Sequence, residues 1–142
     1  MSFELGDINW LAVAIGTAVY FLLGAVWFAP ATPIGRTWVK AAAYESPTSG
    51  TLSTNAFYVF PLVTCLVMVI AVALLAQATG VGNLGDGTVL GLVVGIGFAV
   101  PLLLQVAAFE FKKPQQWTWG VIDASYHVVG LLVAGAIIGL MA

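Results

Sequence analysis

The sequence predicts an all-α membrane protein, an antiparallel bundle of four transmembrane helices with a short interfacial helix between the first two. Three observations predict it. Four apolar stretches of roughly twenty residues each fill most of the chain, and each is long enough to cross a hydrocarbon core of about 30 Å at about 1.5 Å per residue. Charged residues make up 7% of the 142 positions against 61% hydrophobic, with a mean hydropathy of +1.06, far from the roughly 25% charge of soluble domains. Finally, Arg36, Lys40, Lys112 and Lys113, which are all of the basic residues, lie in two of the connections. The whole chain, residues 1–142, reads as one integral membrane domain.

The first span is expected over residues 8–28 and is stopped by Pro30 and Pro33, because proline lacks an amide donor and restricts the residue before it. Ala29-Pro30-Ala31 superficially resembles a signal cleavage site, but Glu4 and Asp7 stand where a leader carries basic residues, so a mature span is expected. In the connection that follows, residues 35–44 suit a short amphipathic helix lying on the membrane surface. A Ser/Thr/Gly/Pro stretch then runs over 46–54. The second span is expected over 56–78. After it, residues 80–87 read as a tight turn of glycines with Asn83 and Asp86, making spans two and three antiparallel neighbours. The third span, 88–109, contains Pro101 and is expected to kink there. Glu110, Lys112, Lys113 and Pro114 close it, and the fourth span covers 119–141.

Positive residues gather on the cytoplasmic side of membrane proteins. Both basic connections therefore belong in the cytoplasm, with both termini outside, in a bacterial inner membrane. Trp27, Trp38, Trp117 and Trp119 suit anchors at the headgroup level. In lipid, small residues let helix backbones approach closely. Gly87, Gly91 and Gly95 form one such stripe, Gly16 and Gly24 another, and Gly130, Gly135 and Gly139 mark the fourth span. These glycines either pack the helices of one protomer or, for Gly135 and Gly139, supply a seam between copies.

Ionisable groups inside a span cost roughly 2.5–3.5 kcal/mol at the bilayer centre, so each calls for a partner or a purpose. The fourth span carries Asp123 and His127 four residues apart on one face, with Tyr126 and Gly130 beside it. Topology brings Gln105, Glu110, Tyr58 and Tyr20 to the same membrane half. Gln105 shares the face of Gly87 if Pro101 leaves the helical phase intact. Should these groups touch, the carboxylate could orient the imidazole of His127. They would then form either a hydrogen-bonded structural clasp or the lining of a small binding or relay site.

Other chemistry finds little support. One His, one Cys (Cys65, inside a span) and scattered carboxylates do not make a zinc site, so neither a metal nor a cofactor is expected. Ser125 and His127, two apart on a helix, diverge, and no phosphate-cradling motif occurs. An enzyme is not expected. Without a basic tract nucleic acid is excluded as a partner, leaving the lipid bilayer, with a homo-oligomer or a larger membrane complex. The leading function is a small multi-pass membrane protein, structural or binding a small ligand. The alternatives are an oligomeric proton, cation or small-solute transporter or channel, and an accessory subunit.

Several motifs carry a family resemblance: Trp27-Phe28-Ala29-Pro30 with Gly35 and Trp38, Gly85-Asp86-Gly87, Phe109-Glu110-Phe111, and Ile122-Asp123-Ala124-Ser125-Tyr126-His127. Over nearly its whole length the chain resembles the uncharacterised bacterial membrane family known as domain of unknown function 1761. The resemblance implies a four-span inner-membrane protein with no assigned activity and recurrent positions at Trp27, Pro30, Gly35, Trp38, Asp86, Gly87, Asp123, Tyr126 and His127. Ala29 stands where the family pattern has serine.

Overall fold

The computed structural model describes residues 3–44 and 53–142, so most of the 46–54 stretch lies outside the described residues. Four helices are long and apolar enough to cross a membrane. The first is α1 (Trp10–Trp27), capped by the Asn9 side chain, which accepts from the Ala12 amide. The second is α3 (Thr54–Thr79), capped by Ser53 and ended by Gly80 in the left-handed region. Leu84–Phe109 form the third, and α6 (Gln116–Leu140) the fourth. Between the first two lies α2 (Pro33–Ala42), the short helix expected from the sequence. A single 3₁₀ turn, Leu5–Asp7, precedes α1.

The third span starts earlier than the sequence suggested. Asn83 accepts from the Asp86 amide at 3.0 Å and donates from Nδ2 to the Asp86 carboxylate at 2.6 Å. This reciprocal cap makes residues 84–87, expected in the turn, the first turn of α4 (Leu84–Val94).

Further along, the third span contains a π turn, Gly95–Ala99, before α5 (Val100–Phe109), with the Val100 amide reaching back to the Gly95 carbonyl. Pro101 explains its position. Proline has no N–H for the Gly97 carbonyl and its ring would press on that oxygen, and widening the preceding turn by one residue relieves the conflict. The wider turn also resets the helical phase. A stripe repeating every four residues drifts about 40° per step on an α-helix; the π turn takes that drift back, so the stripe of Gly87, Gly91 and Gly95 continues to Ala107, which is fully buried. Gln105 is thereby turned off the seam and is exposed, correcting the expectation that it shares the face of Gly87.

α6 is the hub of the bundle and packs against all three other spans and α2. Its seam with the third span is built on glycine. A Cβ on Gly87 would overlap the Gly135 carbonyl oxygen, and one on Gly135 would overlap that of Gly87. Gly91 stands likewise against Leu131, and Gly139 against Asn83. Gly135 and Gly139 are therefore buried inside one protomer and do not form an open seam for a second copy.

The seam with α1 is antiparallel and keeps one register along its length. Asn9 Nδ2 donates to the Met141 carbonyl at 2.9 Å, Gly16 faces Ala134, Tyr20 faces Gly130, and Gly24 faces Tyr126. Val69 of α3 closes over Gly16 from the side. Tyr20, Val13, Val69, Val72 and Cys65 are the largest fully buried side chains.

Gly135→Val forces a branched side chain into the backbone of α4, and we expect it to destabilise the protein by about 3 kcal/mol or more. Gly97→Ala, at a position where a Cβ meets nothing within 4 Å, should change stability by less than about 1 kcal/mol. Thermal unfolding in detergent micelles compares the two, and equal losses would refute the seam.

Candidate functional site

The α2 end of the bundle holds a polar and aromatic cluster, assembled from α1, α2, α3 and α6. Its centre is an exchange of side chains between α1 and α6. The Tyr20 ring lies where a Cβ on Gly130 would be, and the Tyr126 hydroxyl lies 2.8 Å from where a Cβ on Gly24 would be. Each helix thus presents a tyrosine followed four residues later by a glycine. Because the helices are antiparallel, each tyrosine enters the other's glycine slot.

The Gly24 slot lets the Tyr126 hydroxyl reach the backbone. It donates to the Tyr20 carbonyl at 3.1 Å, an oxygen within α1. The Cys65 sulfur lies 3.6 Å from the same hydroxyl. Since the one proton of Tyr126 goes to the carbonyl, the thiol is the donor in that contact. Tyr20 Oη lies 2.5 Å from His127 Nδ1 and 3.7 Å from the Met68 sulfur. If Tyr20 donates to Nδ1, His127 is neutral with its proton on Nε2. If Nδ1 carries the proton, the Tyr20 proton turns to Met68.

Asp123 is held differently from the sequence expectation. Its partner is the Trp38 indole, which donates to Oδ1 at 2.8 Å, while the imidazole of His127 takes Tyr20. The carboxylate therefore does not orient the imidazole. One helical turn separates them on α6, and the two side chains reach different elements: Asp123 fastens α2, and His127 fastens α1.

α2 is placed for this by its own sequence. Thr32 Oγ1 accepts from the Gly35 amide at 2.9 Å and donates to the Ala29 carbonyl at 3.0 Å, and Pro33 occupies the first turn, where no amide is needed. Gly35 is required because a Cβ there would overlap the Ala29 carbonyl. At its far end Ala43 takes a left-handed conformation, and the Ala41 carbonyl accepts from the Gln115 amide at 3.3 Å. Held at both ends, α2 turns Trp38 inward and leaves Arg36 and Lys40 exposed.

Aromatic rings fill the remaining space. The Tyr126 ring contacts Tyr20, Phe28 and His127, with centroids 5.3, 5.0 and 4.7 Å away. A ladder of rings runs outward from Phe28 through Trp38 and Tyr44 to Phe57 and Tyr58.

Of the seven candidates, Tyr20, Tyr126, His127 and Asp123 belong to this cluster. Tyr58 is exposed and joins through the ladder. Glu110 pairs with Lys113 at 3.6 Å on the surface, and Gln105 faces outward. Two of the four tryptophans expected at the headgroup level direct their indole N–H groups into the protein. Trp38 binds Asp123, and the Trp27 indole N–H is buried without a protein partner among the described residues. Trp117 is exposed, and Trp119 is half-buried under the Lys113 ammonium, 4.6 Å from its ring centre. Among the described residues no group of three or more His, Cys, Asp or Glu could hold a metal ion. Sequence reasoning missed Trp38, Cys65 and Met68 as cluster members. For Trp38 the inward face of a short amphipathic helix was an available signal; the other two look like ordinary span residues.

Among known proteins, the family model described as protein of unknown function (DUF1761) matches residues 11–139. No curated protein and no solved structure matches the chain.

Gly24→Ala should cost about 1–3 kcal/mol by driving a methyl against the Tyr126 hydroxyl. Adding Tyr126→Phe removes the atom it meets, so the double variant should be at least about 1 kcal/mol more stable than the two single losses imply. Simple additivity would contradict the slot. Trp38→Phe keeps the ring contacts but strands the carboxylate, at about 1–3 kcal/mol. Trp38→Phe combined with Asp123→Leu should melt closer to wild type than Trp38→Phe alone, and a lower melting temperature would contradict the bond.

Proposed function

The chain belongs to the DUF1761 family, whose function is unknown, and we propose that it is a non-enzymatic structural module of the bacterial inner membrane. Arg36, Lys40, Lys112 and Lys113 stand in the cytoplasm and the two termini outside. What supports the orientation is the placement of all the basic residues in the two connections at the α2 end.

One observation carries the structural reading. Each of four polar groups in the cluster is hydrogen-bonded to a neighbouring element of the same protein: Asp123 Oδ1 to Trp38, His127 Nδ1 to Tyr20, Tyr126 to the Tyr20 backbone, and Cys65 to Tyr126. Here they tie four elements together in a medium where water cannot satisfy them.

A second reading, an oligomeric proton or cation relay, is favoured by the spacing of Asp123 and His127, two ionisable groups one turn apart inside a span. Liposomes separate the two readings. As a structural module, the reconstituted protein should dissipate an imposed proton gradient no faster than protein-free vesicles. His127→Phe should lower the melting temperature in detergent, because Tyr20 loses its acceptor. Gradient decay catalysed by wild type and abolished in a folded His127→Phe variant would establish the relay instead.

A further inference from the structure

The end of the bundle away from α2 carries a feature the clasp does not use. The second and third spans touch each other only lightly, and between them at this end lies a groove of about 310 Å³ lined by Thr79, Val81, Asp86, Val89, Leu90 and Val93. Its walls are apolar from Val89 to Val93, and Asp86 stands at the mouth, on the first turn of α4. The height from Asp86 to Val93 is about 10 Å at 1.5 Å per residue.

We propose that this groove binds a phospholipid whose headgroup carries an ammonium, of the ethanolamine class, with an acyl chain along Val89 and Val93 and the ammonium beside Asp86. Two features select this occupant. The groove lies between two helices long and apolar enough to cross a membrane, and its exposed walls at Val89 and Val93 suit an acyl chain. The charge at its mouth is of one sign: Asp86 accepts from Asn83 through one carboxylate oxygen and its other oxygen has no protein partner among the described residues. Glu4 stands at the same end of the bundle, its backbone bonded in both directions to the Gln77 side chain in the last turn of α3 at 3.0 and 3.2 Å. Asp7 follows in the same segment, and no Lys or Arg of the chain lies at this end. An anionic headgroup in the groove would meet the Asp86 carboxylate with no Lys or Arg to offset it, whereas an ammonium complements that charge. This site is independent of the clasp and of the role proposed for it.

Native mass spectrometry of the full chain, released from mild detergent with phosphatidylethanolamine or phosphatidylglycerol of identical chains, tests the proposal. Wild type should retain the ethanolamine lipid up to about fivefold over the glycerol lipid, the size of effect an exposed ion pair supports. Asp86→Glu should keep that preference and Asp86→Asn should abolish it. Val89→Trp, at an exposed position that the fold does not need, should fill the groove and reduce retention of both lipids. Equal retention of the two lipids by wild type, a preference that survives Asp86→Asn, or undiminished binding to Val89→Trp would each overturn the site.

Discussion

The arrangement depends on the exchange of Tyr20 and Tyr126 between α1 and α6. Helices in a bilayer gain little from burying apolar surface against one another, since acyl chains offer nearly the same environment. Something more specific must fix which faces meet and at what register. Here each tyrosine enters the glycine slot of the opposite helix, so a shift of one residue would place a ring against a Cβ and strip two hydroxyls of their partners. A hydrogen bond between membrane helices is worth little individually, on average about 0.6 kcal/mol. The steric fit supplies the register, and the hydrogen bonds reward that one register.

α6 connects this exchange to the rest of the molecule. One of its faces receives α1, and another lies against the glycine stripe of the third span at backbone distance. That second contact continues past Pro101 because the π turn rotates α5 back into phase, bringing Ala107 against Gly120. The fourth span is accordingly the most enclosed of the four and the third the most outward-facing. Asp123 and His127 sit on this hub. Their bonds to α2 and α1 make two outlying elements part of the core, which explains why ionisable groups are tolerated within a span.

Much of the architecture was legible from composition alone, because lipid imposes a long apolar run on every crossing, and the prolines, glycines and basic pairs marked the ends within a few residues. The short helix α2 was readable from its amphipathic pattern. The start of the third span was not, since Asn83 and Asp86 have the composition of a turn and act as a cap. Gln105 was misplaced because counting at a constant 100° per residue cannot see a π turn. Asp123 and His127 stood out as intramembrane ionisable groups, but their partners did not. An aspartate four residues from a histidine looks like a pair on a helical wheel, while the better donor came from a tryptophan 85 positions away in sequence. The reciprocal role of Gly24 and Gly130 was hidden for the same reason, as a glycine stripe does not reveal which ring will fill it.

The exchange can be observed directly. Carbon–carbon correlation by solid-state NMR, on protein labelled at tyrosine rings and glycine Cα and reconstituted in lipid bilayers, reports which rings lie against which backbones. The account predicts cross-peaks from the Tyr20 ring to Gly130 and from the Tyr126 ring to Gly24. Absence of both, with the tyrosine rings correlating to acyl-chain methylenes instead, would contradict it.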